Sequence, residues 1–144
     1  MPSLLLITEV AAPIWRVYQT WRRLESFPNF VPSVKEARWL SKSRLYWREE
    51  HDGKEHEAEF EVTLHLYESS LSWRSVSGAE HSGITRCEAL PGAKTRMTMQ
   101  VEFASTSNPA HVRALHENYL QAFRRFVEAR AGHTASRDGA AKLK

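Results

Sequence analysis

An alternation of apolar and polar residues runs through the middle of the chain and predicts antiparallel strands. The pattern is clearest over 44–51 and 54–66, because successive side chains of a strand point to opposite faces of a sheet. In the second segment glutamates fill one face, and the apolar face carries His56, Ala58, Phe60, Val62, Leu64 and Leu66. Such a division is typical of a sheet that is covered on one side and solvated on the other.

The dipeptide Asp52-Gly53 lies between these two segments and predicts a two-residue type I′ hairpin turn. Because the turn sets the register of a hairpin, it also predicts which residues face each other. The facing pairs are His51 with Lys54, Glu50 with Glu55, Glu49 with His56, Arg48 with Glu57, Trp47 with Ala58, and Leu45 with Phe60. The apolar face therefore carries one polar pair, Glu49 with His56, and the outer face carries a charge pair, Arg48 with Glu57.

The rest of the chain divides into further strands and two helical regions. Strands are predicted over 4–10, 34–41, 70–76, 84–90 and 94–104. Apolar residues at helical spacing predict a helix that begins after Pro13, followed by a short helix or turn over about 25–31. A long helix is predicted from Pro109 to about Ala131, where Gly132 ends it. Its apolar stripe consists of Val112, Leu115, Tyr119, Ala122, Phe123 and Phe126.

This order of elements predicts an α+β fold. A sheet with one apolar face needs a covering layer, and the long C-terminal helix is the natural cover. We therefore expect a curved antiparallel sheet of about seven strands wrapped around that helix, with two short helices after the first strand and an internal cavity. The domain is expected over 1–131, and 132–144 is expected to be a disordered basic tail.

Composition narrows the classes of function. A chain of 144 residues with 42% apolar residues suits one domain with a real core, and five Trp, six Phe and four Tyr favour an aromatic interior. The net charge of +3 comes without the basic stripe typical of nucleic-acid binding. The apolar run over 4–7 is too short for a signal peptide or a membrane helix. We therefore expect a cytoplasmic protein that binds no nucleic acid and does not span a membrane.

Several segments resemble the START-like, or SRPBCC, helix-grip superfamily, and more specifically its polyketide cyclase/dehydrase and coenzyme-Q-binding branch. The resemblance covers about residues 4–130, and its segments are VAAP at 10–13, ESFPNFV at 25–31, LYWR at 45–48, LSWRS at 71–75 with Gly78, and GAKTR at 92–96. The superfamily includes aromatase/cyclases, lipid carriers, hormone-binding proteins and quinone-binding proteins. The resemblance implies an internal pocket for a mostly apolar, often aromatic ligand, but fold alone does not imply function.

Three residues are predicted to be catalytic: Glu49, His56 and Tyr119. A carboxylate beside an imidazole can move protons during general acid–base catalysis. The alternative for Glu49 and His56 is a cross-strand pair at the wet rim of the sheet, which contributes little. Tyr119 lies on the apolar stripe of the long helix, where a buried hydroxyl needs a hydrogen-bond partner.

Ligand-binding residues are predicted on the inward faces of the strands and the long helix. Trp47 and Trp73 either stack on a planar ligand or fill the core. Small polar groups and adaptable methionines suit the wall of an apolar pocket. The predicted set is Trp47, Phe60, Trp73, Ser75, Thr85, Met97, Met99, Leu115 and Asn118.

Other polar residues are weaker candidates. Arg74 and Arg86 could bind a ligand carboxylate near the pocket mouth, although strict alternation puts Arg74 on the solvent side. His116 is expected to be solvated, and the single cysteine, Cys87, to act as a small apolar residue. The group Glu49, His51 and His56 is a weak metal-ligand set, so neither a metal nor a cofactor is expected.

Three classes of function follow from these expectations. The first is a cofactor-independent polyketide cyclase/dehydratase that positions an extended poly-β-ketone and shuttles protons with a few polar groups. The second is a non-catalytic carrier of a quinone, lipid or aromatic metabolite in the same cavity. The third is a protein-interaction domain with a filled core and an exposed apolar patch. Expected partners are a hydrophobic small molecule, which a carrier protein could deliver, and a second copy paired along a strand edge.

Overall fold

The computed structural model describes residues 2–78 and 80–142, with side chains up to Ala131. Within this part of the chain, the strands are β1 (Ser3–Val10), β2 (Val34–Trp39), β3 (Arg44–His51), β4 (Lys54–Leu66), β5 (Ser70–Ser77), β6 (His81–Leu90) and β7 (Lys94–Phe103). The helices are α1 (Ile14–Trp21), a 3₁₀ helix (Leu24–Asn29) and α2 (Pro109–Lys142).

The strands form one antiparallel sheet in the order β1-β7-β6-β5-β4-β3-β2, so β1 and β2 are its edges. Together with the long α2, this curved sheet confirms the predicted α+β helix-grip architecture. The strand β6 begins at His81, earlier than the alternation predicts. It does so because residues from His81 onwards pair with β7, starting with His81 opposite Phe103.

The β3–β4 hairpin has the register that its turn predicts. Asp52 and Gly53 adopt φ values of 53° and 76°, as a type I′ turn requires. Every predicted pair is present, including Glu49 opposite His56. Arg48 and Glu57 face each other as predicted, and the Arg48 guanidinium bonds diagonally to Glu55, at 2.9 Å.

The hydrophobic core lies where α1 and α2 pack on the concave face of the sheet. Aromatic side chains dominate its centre, where the Trp21 ring contacts Phe27 and Phe123 with centroids 5.3 and 4.8 Å apart. The helix α2 contributes buried Tyr119, Leu120, Ala122, Phe123 and Val127 to this core. Packing on α2 thus uses the stripe that helical spacing predicts.

The helix α2 continues to Lys142 and does not end at Gly132 as predicted. A single glycine lowers helix stability by about 1 kcal/mol but leaves the backbone hydrogen bonds in place. Beyond Ala131 the structure describes the backbone alone, as far as Lys142. The predicted disordered basic tail over 132–144 therefore stays a prediction. No helix in the described part of the chain is long and apolar enough to cross a membrane.

Candidate functional site

A cavity of about 790 Å³ lies between the concave face of the sheet and α2. Its walls come mainly from β3, β4 and α2, and the 3₁₀ helix closes one side through Phe27. The exposed residues of its lining come from the β3–β4 turn and the start of β4, the β5–β6 loop, and the β7–α2 loop and the start of α2. These segments therefore form the mouth of the cavity.

Eight of the residues predicted from sequence line this cavity, and four do not. The lining includes Glu49, His56, Tyr119, Trp47, Phe60, Trp73, Met99 and Leu115. It does not include Ser75, Thr85, Met97 and Asn118. The roles of the first eight in catalysis or binding stay predictions.

The four residues outside the cavity lining have different surroundings. The Ser75 Oγ accepts a hydrogen bond from the backbone N–H of His81 at 3.0 Å and so joins β5 to β6. Thr85 and Met97 face inward but are buried in the core, where α1 packs against β6 and β7. Asn118 is exposed, because it precedes the buried Tyr119 and falls outside the apolar face of α2.

Glu49 is a buried carboxylate, only 6% exposed, at the centre of a hydrogen-bond network. Its Oε1 accepts from Trp47 Nε1 at 2.5 Å and from the Tyr119 hydroxyl. Its Oε2 lies 2.7 Å from His51 Nε2 and accepts a longer bond, 3.4 Å, from Ser33 Oγ. Both oxygens are thus bonded to the protein, and the Tyr119 bond ties β3 to α2.

The imidazole beside Glu49 belongs to His51, and the predicted contact with His56 is wrong. Residues two apart on a strand share a face, so His51 follows Glu49 along the inner face of β3. His56 lies opposite Glu49 in the backbone register, but its side chain is exposed at the mouth. Its ring centroid is 6.0 Å from that of His51. Backbone register alone therefore identifies the wrong histidine.

An aromatic wall continues from Glu49 into the cavity. The rings of Trp47 and Phe60 are 6.1 Å apart, and those of Phe60 and Trp73 are 5.6 Å apart, in edge-to-face arrangements. The Trp73 indole lies directly against Gly83 of β6, where an added Cβ would come within 2.6 Å of Trp73 Cζ2. Glycine at this position therefore allows the indole its place in the wall.

His116 is a second buried polar group of the cavity, and the prediction that it is solvated is wrong. Its side chain is 4% exposed, and Nδ1 lies 2.9 Å from the backbone oxygen of Val112. Its ring stacks on Trp73 at 6.1 Å with an interplanar angle of 5°. The signal for its burial is its spacing, since it follows Val112 by four residues and precedes Tyr119 by three along the apolar stripe.

Burial sets the ionisation of His116 and of Cys87. It lowers the pKa of His116 to about 4, a shift reinforced by the charge of His81 and opposed by the Val112 hydrogen bond. Burial raises the pKa of the Cys87 thiol to about 12. At neutral pH the imidazole of His116 is therefore neutral, and Cys87 is a protonated thiol rather than a nucleophile.

Arginine candidates for a ligand carboxylate lie outside the cavity. Arg74 donates to Glu61 at 2.8 Å on the outer face of the sheet, and Arg86 is exposed. Neither belongs to the cavity lining. In the described residues, no group of three or more His, Cys, Asp or Glu side chains could hold a metal ion.

The fold and its cavity define a ligand-binding protein of the helix-grip class. Residues 10–129 match the protein family described as polyketide cyclase/dehydrase and lipid transport. Because the match spans most of the 144 residues, the chain belongs to this family.

Other proteins resemble this chain in sequence or in fold. An uncharacterized 17.2 kDa protein of Streptomyces lincolnensis is 25% identical over 140 residues, which cover 92% of this chain and 93% of that protein. The di-domain aromatase/cyclase StfQ of the steffimycin biosynthetic pathway superposes with a TM-score of 0.80 at 16% identity, covering 94% of this chain and 46% of StfQ. A START superfamily protein from Mycobacterium smegmatis superposes with a TM-score of 0.74 at 16% identity, covering 92% of this chain and 98% of that one.

Proposed function

We propose that this protein is a cofactor-independent polyketide cyclase/dehydratase that binds a poly-β-ketone in its cavity and promotes ring closure and loss of water. The observation that carries this proposal is the buried carboxylate of Glu49, which meets His51 and Tyr119 at the cavity wall. A volume of about 790 Å³ falls in the range of small-molecule sites. Membership of the family and the likeness to an aromatase/cyclase support the same class of reaction.

The pair of His51 with Glu49 supplies a general base. In the neutral imidazole, a proton on Nε2 is donated to Glu49 Oε2, so Nδ1 carries the lone pair. A carboxylate that orients an imidazole also stabilises the imidazolium that forms when the imidazole takes a proton. His51 belongs to the cavity lining, where this proton transfer would occur. Glu49 therefore acts as a positioning residue, and His51 is the group that meets the substrate.

Ring closure needs a base and then an acid. His51 removes a proton from a carbon between two ketones, and the resulting enolate carbon forms a bond with a distant carbonyl carbon of the same chain. The carbonyl oxygen becomes an alkoxide, which takes the proton back from His51. Loss of this hydroxyl with a neighbouring C–H proton releases water and forms a double bond. No electrons enter or leave, so the sequence requires no redox cofactor.

Positioning contributes the larger part of the expected rate enhancement. A flexible poly-β-ketone can close in several ways, and the walls decide which carbons meet. The aromatic wall of Trp47, Phe60 and Trp73 supplies flat surfaces for a planar, partly enolised chain. The Tyr119 hydroxyl is tied to Glu49, so its oxygen keeps lone pairs that can accept from a substrate hydroxyl.

Turnover of a linear tetra-β-ketone thioester of N-acetylcysteamine tests this proposal. Cyclised and dehydrated products are followed by liquid chromatography with mass spectrometry, against the spontaneous reaction. We expect His51→Gln and Glu49→Gln to lower the catalysed rate by about 10²–10⁴-fold, the usual contribution of a general base. The matched control is Glu102→Gln, which changes an exposed carboxylate of β7 and should leave the rate unchanged. A wild-type rate equal to the spontaneous rate would refute the proposed cyclase activity.

A non-catalytic carrier is the second candidate. It is favoured by the saturation of Glu49, because both of its oxygens are already bonded to protein donors. Native mass spectrometry of the protein purified from its own host separates the two. A quinone or lipid that co-purifies and is released unchanged supports the carrier, whereas a polyketide or its cyclised product supports the enzyme.

Three further expectations belong to this proposal. The protein acts in the cytoplasm, a carrier protein delivers the chain, and two copies pair through the exposed edges β1 and β2. Each stays a prediction. Size-exclusion chromatography with light scattering tests the homodimer, and a change of elution on mixing with an acyl carrier protein tests delivery.

A further inference from the structure

The inner wall of the cavity holds a polar group that the proposed proton transfer does not use. His116 is buried on α2, and its ring is stacked on Trp73 and edge-to-face with Tyr119, with centroids 6.1 and 5.5 Å away. A buried polar side chain needs a reason, because burial costs free energy unless its atoms are hydrogen-bonded. Among the residues that the structure describes, Val112 is the hydrogen-bond partner of the His116 side chain.

The Val112 contact determines which nitrogen of His116 carries the proton. A backbone carbonyl oxygen can only accept, so Nδ1 must donate. A neutral imidazole has one N–H, and the other nitrogen carries a lone pair. In His116 that nitrogen is Nε2. The ring is therefore a hydrogen-bond acceptor of known orientation.

The surroundings of His116 keep this acceptor neutral and in place. Burial lowers the pKa of the imidazole to about 4, so Nε2 stays unprotonated at neutral pH. Stacking on Trp73, with 5° between the planes, restricts rotation of the ring. The titratable rings beside it are Tyr119, 5.5 Å away, and His81, 6.0 Å away. His116 is part of the cavity lining, so a molecule bound in the cavity would lie against it.

We propose that His116 Nε2 accepts a hydrogen bond from a hydroxyl group of the ligand and so makes the cavity selective for planar molecules that carry a phenol or an enol. The ring of such a ligand would lie along the aromatic wall, with its hydroxyl directed at α2. A ketone, an ether or a hydrocarbon of the same shape has no proton to offer and leaves Nε2 unpaired. This inference rests on the proposed ligand cavity, but it requires no catalysis.

The test compares 2-naphthol with 2-methoxynaphthalene, which has a similar shape but no donor. Dissociation constants are measured by quenching of tryptophan fluorescence and checked by calorimetry. We expect the wild type to bind 2-naphthol roughly 5-fold more tightly than the ether, the effect of one net hydrogen bond. In His116→Leu the ratio should fall to about 1, through weaker binding of 2-naphthol alone. His116→Gln, which keeps an acceptor, should restore part of the preference.

Glu117→Leu is the matched control, because Glu117 is the next residue of the same helix but is exposed and lies outside the cavity lining. It should keep the wild-type preference. A preference that survives in His116→Leu, or one that the wild type lacks, would overturn the inference while leaving the ligand cavity intact. Failure of the wild type to bind either probe would count against both the inference and the proposed function.

A measurement on the wild type alone guards against variants that fail to fold. Nitrogen-15 NMR of the histidine rings distinguishes protonated from unprotonated nitrogens. We expect His116 to show a protonated Nδ1 and an unprotonated Nε2, and the Nε2 signal to shift with 2-naphthol but not with 2-methoxynaphthalene. An Nε2 signal that does not shift at saturating 2-naphthol would overturn the proposal.

Discussion

The cavity contains two buried polar groups, Glu49 and His116, and the free-energy cost of burying them is offset in opposite ways. At the mouth, the carboxylate of Glu49 gathers hydrogen bonds from Trp47, Tyr119 and His51. On the inner wall, His116 makes one hydrogen bond to the backbone and remains neutral because burial lowers its pKa to about 4. A buried carboxylate is stable when hydrogen-bond donors surround it, whereas a buried imidazole is stable in its neutral form.

The difference has consequences for stability. Removing Glu49 leaves several donors without an acceptor, because each was positioned for the carboxylate. Removing His116 leaves only a helical carbonyl, whose oxygen can still bond within the helix. The mouth should therefore be sensitive to loss of its central group, and the inner wall should tolerate an apolar replacement.

The largest expected effect follows from Glu49→Leu. We expect the free energy of unfolding to fall by about 2–5 kcal/mol, because the buried Trp47 N–H and the Tyr119 hydroxyl lose their acceptor. Urea unfolding at neutral pH measures the change. Adding Tyr119→Phe to this variant should recover part of the loss, since the orphaned hydroxyl is then removed. The contrast between the two regions fails if His116→Leu costs as much as Glu49→Leu.

The pH dependence of stability tests whether burial holds His116 neutral. Its pKa is lowered from 6.5 in the unfolded chain to about 4 in the fold, so below pH 6.5 the unfolded state binds more protons. The contribution of this lowered pKa to the free energy of unfolding is fully present above pH 6.5 and is lost as the pH falls toward 4. Between about pH 7.5 and about pH 5 the loss from this group is roughly 2 kcal/mol.

The measurement is a difference between two proteins. Urea unfolding of the wild type and of His116→Leu at both pH values cancels the titration of groups that the two share. We expect the stability of the variant to fall less steeply with acid by this amount. Equal slopes in the two proteins would show that His116 titrates normally and is not held neutral.

A smaller effect is expected from Gly83→Ala, which acts on the inner wall through Trp73. The new Cβ would lie 2.6 Å from Trp73 Cζ2 and 3.1 Å from the backbone oxygen of Gln100, so the indole must move. We expect a loss of about 1–3 kcal/mol of stability, typical of overpacking, together with weaker binding of 2-naphthol. Gly92→Ala is the control, because its Cβ would meet nothing within 4 Å. Its backbone strain costs about 1 kcal/mol, and 2-naphthol should bind normally.

The smallest effect is expected outside both regions, at the ion pair of Arg74 with Glu61 on the outer face of the sheet. Arg74→Gln should change stability by about 0–1 kcal/mol, as exposed ion pairs usually do, and should leave the dissociation constant of 2-naphthol unchanged. Fluorescence titration and urea unfolding of the same sample check both. Weaker binding of 2-naphthol would mean that the ligand binds this face of the sheet rather than the cavity.

Sequence predicted the hairpin correctly because its information is local. The turn Asp52-Gly53 and the alternation on either side of it specify both the turn type and the register, and the structure has both. The apolar stripe of α2 is also local, and it identifies Tyr119 as a buried residue. Neither prediction requires knowledge of what packs against the element.

The partner of Glu49 was beyond such reasoning. Backbone register places His56 opposite Glu49, but the hydrogen bond goes to His51. Alternation puts both imidazoles on the same face as Glu49, so the choice between them depends on side-chain orientation, which the register does not specify. The same holds for Thr85 and Met97, whose inward direction follows from alternation but whose burial in the core outside the cavity lining does not.

Alternation, helical spacing and turn chemistry are properties of neighbouring residues, and from them the amino-acid order alone specifies the strands, the hairpin register and the buried face of α2. The contacts that join the polar groups across the cavity, Tyr119 with Glu49 and His116 with Trp73, come from residues far apart in the chain. Tyr119 and Glu49 are 70 residues apart in sequence and meet in one hydrogen bond. Such contacts depend on the curvature of the sheet and the depth of the helix. Both are determined by packing throughout the domain, so no single segment of sequence specifies them.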